Sequence, residues 1–220
     1  HSAPNVSGAL ELYYIHNAGL DAQVREYTEF VVERASAAMD EAVADLEPAF
    51  LAFEQGLCGF GVNRRRSRPG TRHLPGPVDP DVPVLSVRRA DGSLKGVVFG
   101  YACHTTSLCG KDLNGDYSGW ACNALEAEYP DAVAMFVAGC GADINPLPRY
   151  SMARSKACGL LLAEAVRDVL SAPMSEAEGP LTAGIERTDL PLTSPPEAEF
   201  WQKQIETTSN PVRQLMSQHQ

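Results

Sequence analysis

A histidine followed by small hydroxyl residues, His104-Thr-Thr-Ser107, is the part of this sequence best suited to chemistry. The apolar run over residues 96–103 leads directly into it and has the length of a central strand. In an open α/β sheet, the carboxyl ends of strands present functional residues, because the backbone is rigid there and the next loop faces a cleft. We therefore expect His104 at a strand end, as a metal ligand, a general base or a hydrogen-bonded structural residue.

Other glycine-containing loops near predicted strand ends carry further candidates. Arg64 ends Gly61-Val-Asn-Arg64, and Asp143 and Asn145 lie between Gly139 and Pro146. Asp116 stands where a loop enters a helix, whose first N–H groups are suited to binding an anion. Each has a structural alternative, since Asp143 and Asp116 are also typical turn residues and Arg64 can be one more exposed arginine.

Composition narrows the class of protein. The 220 residues suffice for a full-sized core, and 44% hydrophobic with 21% charged residues is typical of a globular domain. A net charge of −10 argues against nucleic acid as a partner. The arginine cluster over residues 64–68 is short, which favours a local anion or substrate contact over a polyanion-binding surface. No apolar run approaches the ~18 residues of a membrane span, so we expect no transmembrane segment.

The cysteines are scattered and form no CxxC pair, which makes a structural zinc knuckle improbable. Two of them, Cys103 and Cys140, lie in apolar strand-like stretches, and we expect both to be small buried hydrophobic residues.

Helical and strand-like patterns alternate along the chain, which predicts an α/β fold: a mixed sheet with flanking helices and a site at the strand carboxyl ends. A long helix should begin at the N-cap Asp21 and end before Pro48. The segment between residues 56 and 83 reads as a loop, and Asp91-Gly92 reads as the turn of a hairpin. Helices are expected at 118–129, at 152–171 and after Pro196, and strands at 50–53, 84–89, 95–103, 132–138 and 181–189.

Five short segments match a known family in the right order. The chain resembles the N-terminal catalytic domain of the neutral/alkaline, non-lysosomal ceramidases over about residues 1–148, and residues 1–220 are then part of a single such domain, truncated at both ends. The matching segments are His1-Ser-Ala-Pro4, Val62-Asn-Arg64, His104-Thr-Thr-Ser107, Gly115-Asp-Tyr-Ser-Gly-Trp-Ala121 and Ala142-Asp-Ile-Asn-Pro146.

The resemblance implies a chemistry and a set of roles. The family hydrolyses the amide of N-acylsphingosine with one zinc ion, which lowers the pKa of a bound water to about 7 and polarises the carbonyl. It implies that His104 is a zinc ligand, that His1 contacts the substrate carbonyl or oxyanion, and that Arg64 lies near the reacting centre. Asp116 and Asp143 are assigned to substrate binding.

The remaining zinc ligands implied by the family are not found in this chain. Two or fewer neutral ligands hold zinc weakly, so we expect these 220 residues alone to have little or no activity. The resemblance also implies a lipid amide as substrate, contact with a membrane surface, and an extracellular or periplasmic location.

One departure leaves the activity open. Asn145 stands where the family has a serine, and an asparagine amide donates hydrogen bonds but is no nucleophile. If zinc-bound water attacks, Asn145 is compatible with catalysis and alters only the choice of substrate. Otherwise the chain is a divergent relative that binds a lipid or carbohydrate, and a complete α/β domain of unrelated chemistry is a third reading.

Overall fold

The computed structural model describes residues 6, 18–65, 76–110, 112–180, 182–189, 191, 194, 196–207 and 209. The chain divides into two compact units, one built around Leu46–Gly179 and the other from Pro4–Asp45 with Pro180–Gln220. Membership of all 220 residues in a single domain stays a prediction.

The larger unit contains a five-stranded mixed sheet, as the predicted α/β class requires. Its order is β5-β4-β3-β1-β7, and only the β4–β5 pair is parallel. The strands are β1 (Phe50–Leu57), β3 (Asp81–Arg88), β4 (Leu94–Tyr101), β5 (Val133–Ala138) and β7 (Ser175–Glu176).

Strand β4 lies inside this sheet, between β3 and β5, so the prediction of a central strand is confirmed. The predicted hairpin is also correct, since β3 and β4 pair with Val84 opposite Phe99 and Leu85 opposite Val98. Gly92 supplies the left-handed backbone of the turn, with φ of +85°. Asp91 supports the turn by accepting hydrogen bonds from the backbone N–H and the hydroxyl of Ser93.

Helices α2 (Asp116–Glu128) and α3 (Met152–Ser171) cover one face of the sheet and close the core. The bounds of α3 are those predicted, and Ser151 caps it by accepting a hydrogen bond from Arg154 N. The helices touch at Gly159, where an added Cβ would lie 2.5 Å from Trp120 Cβ and 2.6 Å from Tyr117 O. The position of α2, and of its first residues, therefore depends on this close contact.

A second, two-stranded sheet pairs β2 (Gly61–Asn63) with β6 (Ile144–Pro146). Sequence reasoning placed both strands in loops, because three-residue strands have no readable periodicity. The loop predicted between residues 56 and 83 is correspondingly shorter, since β1 extends to Leu57 and β3 begins at Asp81. Residues 66–75 of that loop lie outside the described chain.

The second unit contains α1 (Ala18–Ala44) and α4 (Ala198–Thr207), both predicted as helices. Asp21 lies inside α1, so its predicted N-cap role is wrong. The strand predicted at 181–189 is also wrong, because the described residues 182–189 have no regular structure. No helix within the described ranges is long and apolar enough to cross a membrane.

Candidate functional site

His104 lies just beyond the carboxyl end of β4, where the sequence predicts it. Its backbone N–H donates to Ile144 O at 3.0 Å, which attaches the histidine segment to β6. The loop after β5 approaches closely because Gly141 has no side chain: an added Cβ would lie 2.5 Å from Cys103 N. The imidazole itself is partly exposed, so a ligand can reach it.

Arg64 and His104 are neighbours in space although forty residues separate them in the chain. The Arg64 Nη2 atom lies 3.3 Å from His104 Nε2 and donates to Ala142 O at 3.0 Å. His104 Nε2 lies 3.1 Å from the same carbonyl oxygen. Nε2 therefore either donates to Ala142 O, which leaves Nδ1 as the unprotonated nitrogen, or accepts from Arg64 in the other tautomer.

Asp143 joins the group through its backbone and its side chain. Its carbonyl oxygen accepts from Arg64 N at 2.7 Å, and its Oδ2 accepts from Asn63 Nδ2 at 2.8 Å. Asn63 is buried and also donates to Pro77 O and accepts from Arg65 N. Sequence reasoning missed Asn63 as a site residue, although it precedes Arg64 in a matched segment. The half-buried Asp143 keeps its predicted substrate-binding role as a prediction.

Asn145 is in the middle of β6, opposite Val62. The residue is only 7% exposed. Within the described ranges, its side-chain amide makes no hydrogen bond. An amide that is not fully shut off from solvent and has N–H groups to donate is a candidate donor to a bound ligand.

Asp116 is deeply buried, at 2% exposure. Its Oδ1 accepts from Ser107 N at 3.0 Å, Ser107 Oγ at 2.6 Å and Tyr117 N at 2.8 Å, and its Oδ2 accepts from Leu108 N at 3.0 Å. Burial alone would raise the pKa of this carboxyl, but the hydrogen bonds outweigh it and lower the pKa below the ordinary value. The carboxylate therefore stays charged and faces the protein.

The predicted zinc site is not shown by the structure. The described ranges contain no cluster of three or more His, Cys, Asp or Glu side chains able to hold a metal ion. His104 offers one imidazole, whereas a zinc site needs three or four protein ligands. His1, with its predicted contact to the substrate, lies outside the described residues. These residues therefore do not form a zinc site by themselves.

The two cysteines predicted to be buried differ in their exposure. Cys103 is buried as predicted, and burial raises the pKa of its thiol to about 12. Cys140 is exposed, so its predicted burial is wrong: it lies two residues after the end of β5, in a surface loop.

Comparison with solved structures identifies the fold. The chain is similar to neutral ceramidase from Pseudomonas aeruginosa, with a TM-score of 0.60 and 21% identity over 70% of this chain and 27% of that one. It is also similar to a ceramidase complexed with C2, with a TM-score of 0.56 and 20% identity over 64% of this chain and 25% of that one.

Protein-family models and curated proteins give no match to this sequence. The chain thus has a ceramidase-like fold and spans about a quarter of the length of the ceramidases that it resembles.

Proposed function

We propose that this chain belongs to a hydrolase of the neutral-ceramidase type, which cleaves the amide bond of N-acylsphingosine or a related lipid amide. The observation that carries the proposal is the meeting of Arg64, His104 and Ala142 O within 3.0–3.3 Å at a strand end. It is supported by the ceramidase-like fold, which covers 70% of this chain.

The chemistry of this group suits acyl transfer. Amide hydrolysis places negative charge on the carbonyl oxygen in the transition state, and donors that already point at that position stabilise it. Arg64 carries a permanent positive charge, and its guanidinium presents a planar fork of N–H donors that matches an oxyanion. One such donor contributes about 3 kcal/mol of transition-state stabilisation. We assign Arg64 to the substrate carbonyl oxygen.

Asn145 is the second proposed donor. The residue is 7% exposed and its amide makes no hydrogen bond among the described residues, so its N–H groups can donate to a substrate oxygen. It provides no nucleophile, and the attacking group in this proposal is water.

Zinc dependence belongs to the same proposal, with His104 as one ligand. The described part of the chain supplies one imidazole, so the other ligands come from elsewhere in the protein, and His1 keeps its proposed contact with the substrate carbonyl. Contact with a membrane surface and an extracellular or periplasmic location follow from a lipid substrate and are proposals too.

A second candidate function rests on Asn145. Because this position has an amide where the ceramidase motif has a serine, the fold can serve a relative that binds a lipid or carbohydrate without cleaving it. Replacing Asn145 by serine separates the two. Hydrolysis by the natural sequence supports the first function, whereas hydrolysis only by Asn145→Ser supports the second.

The experiment measures fatty-acid release from N-acylsphingosine by the full-length protein, with zinc, with a chelator, and with zinc restored. We expect release that the chelator abolishes and zinc restores. Arg64→Ala should lower kcat/KM by about 100-fold. Arg154→Ala is the matched control, because Arg154 is also exposed and also donates to a backbone carbonyl, that of Arg149. Failure of the zinc-loaded protein to cleave any lipid amide would reject the proposal.

A further inference from the structure

Two consecutive residues at the start of α2 hold both ends of the segment that carries His104. Before the histidine, the hydroxyl of Tyr117 donates to Cys103 O at 2.6 Å. After it, the carboxylate of Asp116 accepts from Ser107 N, Ser107 Oγ and Leu108 N. The short segment that contains His104 is therefore attached at both ends, by hydrogen bonds, to the first turn of α2.

The bonds of Asp116 go to the histidine segment more than to its own helix. An ordinary N-terminal cap satisfies the first N–H groups of the helix that it begins. Here Tyr117 N is the helical donor, and the other three hydrogen bonds come from residues 107 and 108. Only one of these four hydrogen bonds therefore belongs to the start of α2 itself.

The backbone at Asp116 is in the left-handed region, with φ of +54°. A residue other than glycine loses roughly 1–2 kcal/mol there, although aspartate and asparagine tolerate it better than most. The carboxylate compensates with several charge-assisted hydrogen bonds in a buried environment. Close packing of α2 on α3 at Gly159 keeps the turn in place.

We propose that Asp116 and Tyr117 are a positioning pair that sets the orientation of the His104 imidazole, and that Asp116 does not bind substrate. The proposal rests on the proposed function only in that His104 takes part in the reaction. The positioning itself is a property of the resting protein and can be measured without substrate.

The test compares Asp116→Asn and Tyr117→Phe with matched controls in the full-length protein. Asparagine keeps the shape and tolerates the left-handed backbone, so Asp116→Asn leaves the turn in place while it removes the charge and replaces one acceptor oxygen by an NH2 donor. Its control is Asp91→Asn, because Asp91 also accepts from a serine N–H and hydroxyl but lies in the exposed β3–β4 turn. The control for Tyr117→Phe is Tyr129→Phe, near the other end of α2.

Two readouts separate positioning from simple stability. The first is the NMR spectrum of the His104 imidazole, which should shift or broaden in both variants and remain unchanged in both controls. Val166→Ala, a core change on α3, should lower stability without moving these signals. The second is the kinetics of lipid-amide cleavage, in which kcat should fall about 10- to 100-fold while KM changes little.

Each outcome decides something different. His104 signals that stay in place in both variants would overturn the positioning pair, whatever the activity. An increase in KM with unchanged kcat in Asp116→Asn would restore substrate binding to that residue and also overturn it. If Asp116→Asn does not fold, Tyr117→Phe decides by the same spectrum. An inactive natural protein with displaced His104 signals in the variants would reject the proposed function and leave the positioning pair standing.

Discussion

Two parts of the molecule hold the same site by different means. One is the start of α2, the helix side of the site, and the other is the pair of strands β2 and β6, the ladder side. Asp116 binds the histidine segment through one buried carboxylate, whereas β2 and β6 hold Arg64 and Asn145 mainly by backbone pairing. Hydrogen bonds between the backbones of paired strands survive most side-chain substitutions, whereas a single substitution removes a buried carboxylate. The stability of the folded site should therefore be sensitive to mutation on its helix side and tolerant on its ladder side.

The largest expected effect is that of Asp116→Ala. Removing the carboxylate leaves the N–H groups of Ser107, Leu108 and Tyr117 without their partner in a buried region, and each buried orphan costs about 1–3 kcal/mol. We expect a loss of about 4 kcal/mol in the free energy of unfolding, measured by urea denaturation. Asp91→Ala, in the exposed turn, should cost well under half of this, and equal losses would contradict the comparison.

The next effect tests whether α2 must stay close to α3. An alanine at Gly159 places its Cβ 2.5 Å from Trp120 Cβ and should destabilise the unit by about 2 kcal/mol. Gly119→Ala is the control, because an added Cβ there meets nothing within 4 Å and alanine favours a helix by up to about 1 kcal/mol. A neutral Gly159→Ala would show that the helices can separate without cost.

Acid should weaken the hydrogen bonds that Asp116 accepts on the helix side. The pKa of Asp116 is lower in the folded protein than its ordinary value of 3.8, so its contribution is complete above that value and is lost as the pH falls through the folded pKa. Asp116→Asn should therefore make the urea midpoint less dependent on pH between about 5 and 2. Unchanged slopes in wild type and variant would mean that this carboxyl does not govern acid stability.

The smallest effect is expected on the ladder side. Asp143 is half-buried, and within the described residues its side chain accepts a hydrogen bond from Asn63. Because an amide oxygen can still accept that bond, Asp143→Asn should change the free energy of unfolding by no more than about 0.5 kcal/mol. A loss as large as that of Asp116→Ala would remove the distinction between the two sides.

Features of the fold that depend on residues close together in the sequence were easier to predict than features that depend on distant residues. Residues 152–171 show a helical period over their whole length, and α3 has those bounds. The apolar run before His104 and the turn at Gly92 are local signals too, and both were correct. The strand expected at 181–189 failed because local β-propensity does not guarantee a neighbouring strand to pair with.

The sequence by itself determined the α/β class, the hairpin, and a histidine at the end of an interior strand, because these depend on periodicity and turn chemistry within a few residues. Only the tertiary structure decided that Arg64 and Ala142 O meet His104, and that Asp116 turns inward to the protein. These contacts depend on the pairing of β2 with β6 and on the packing of α2 against α3 at Gly159. Contacts between residues forty and more positions apart have no local signature, since their free energy is gained only when the whole unit is assembled.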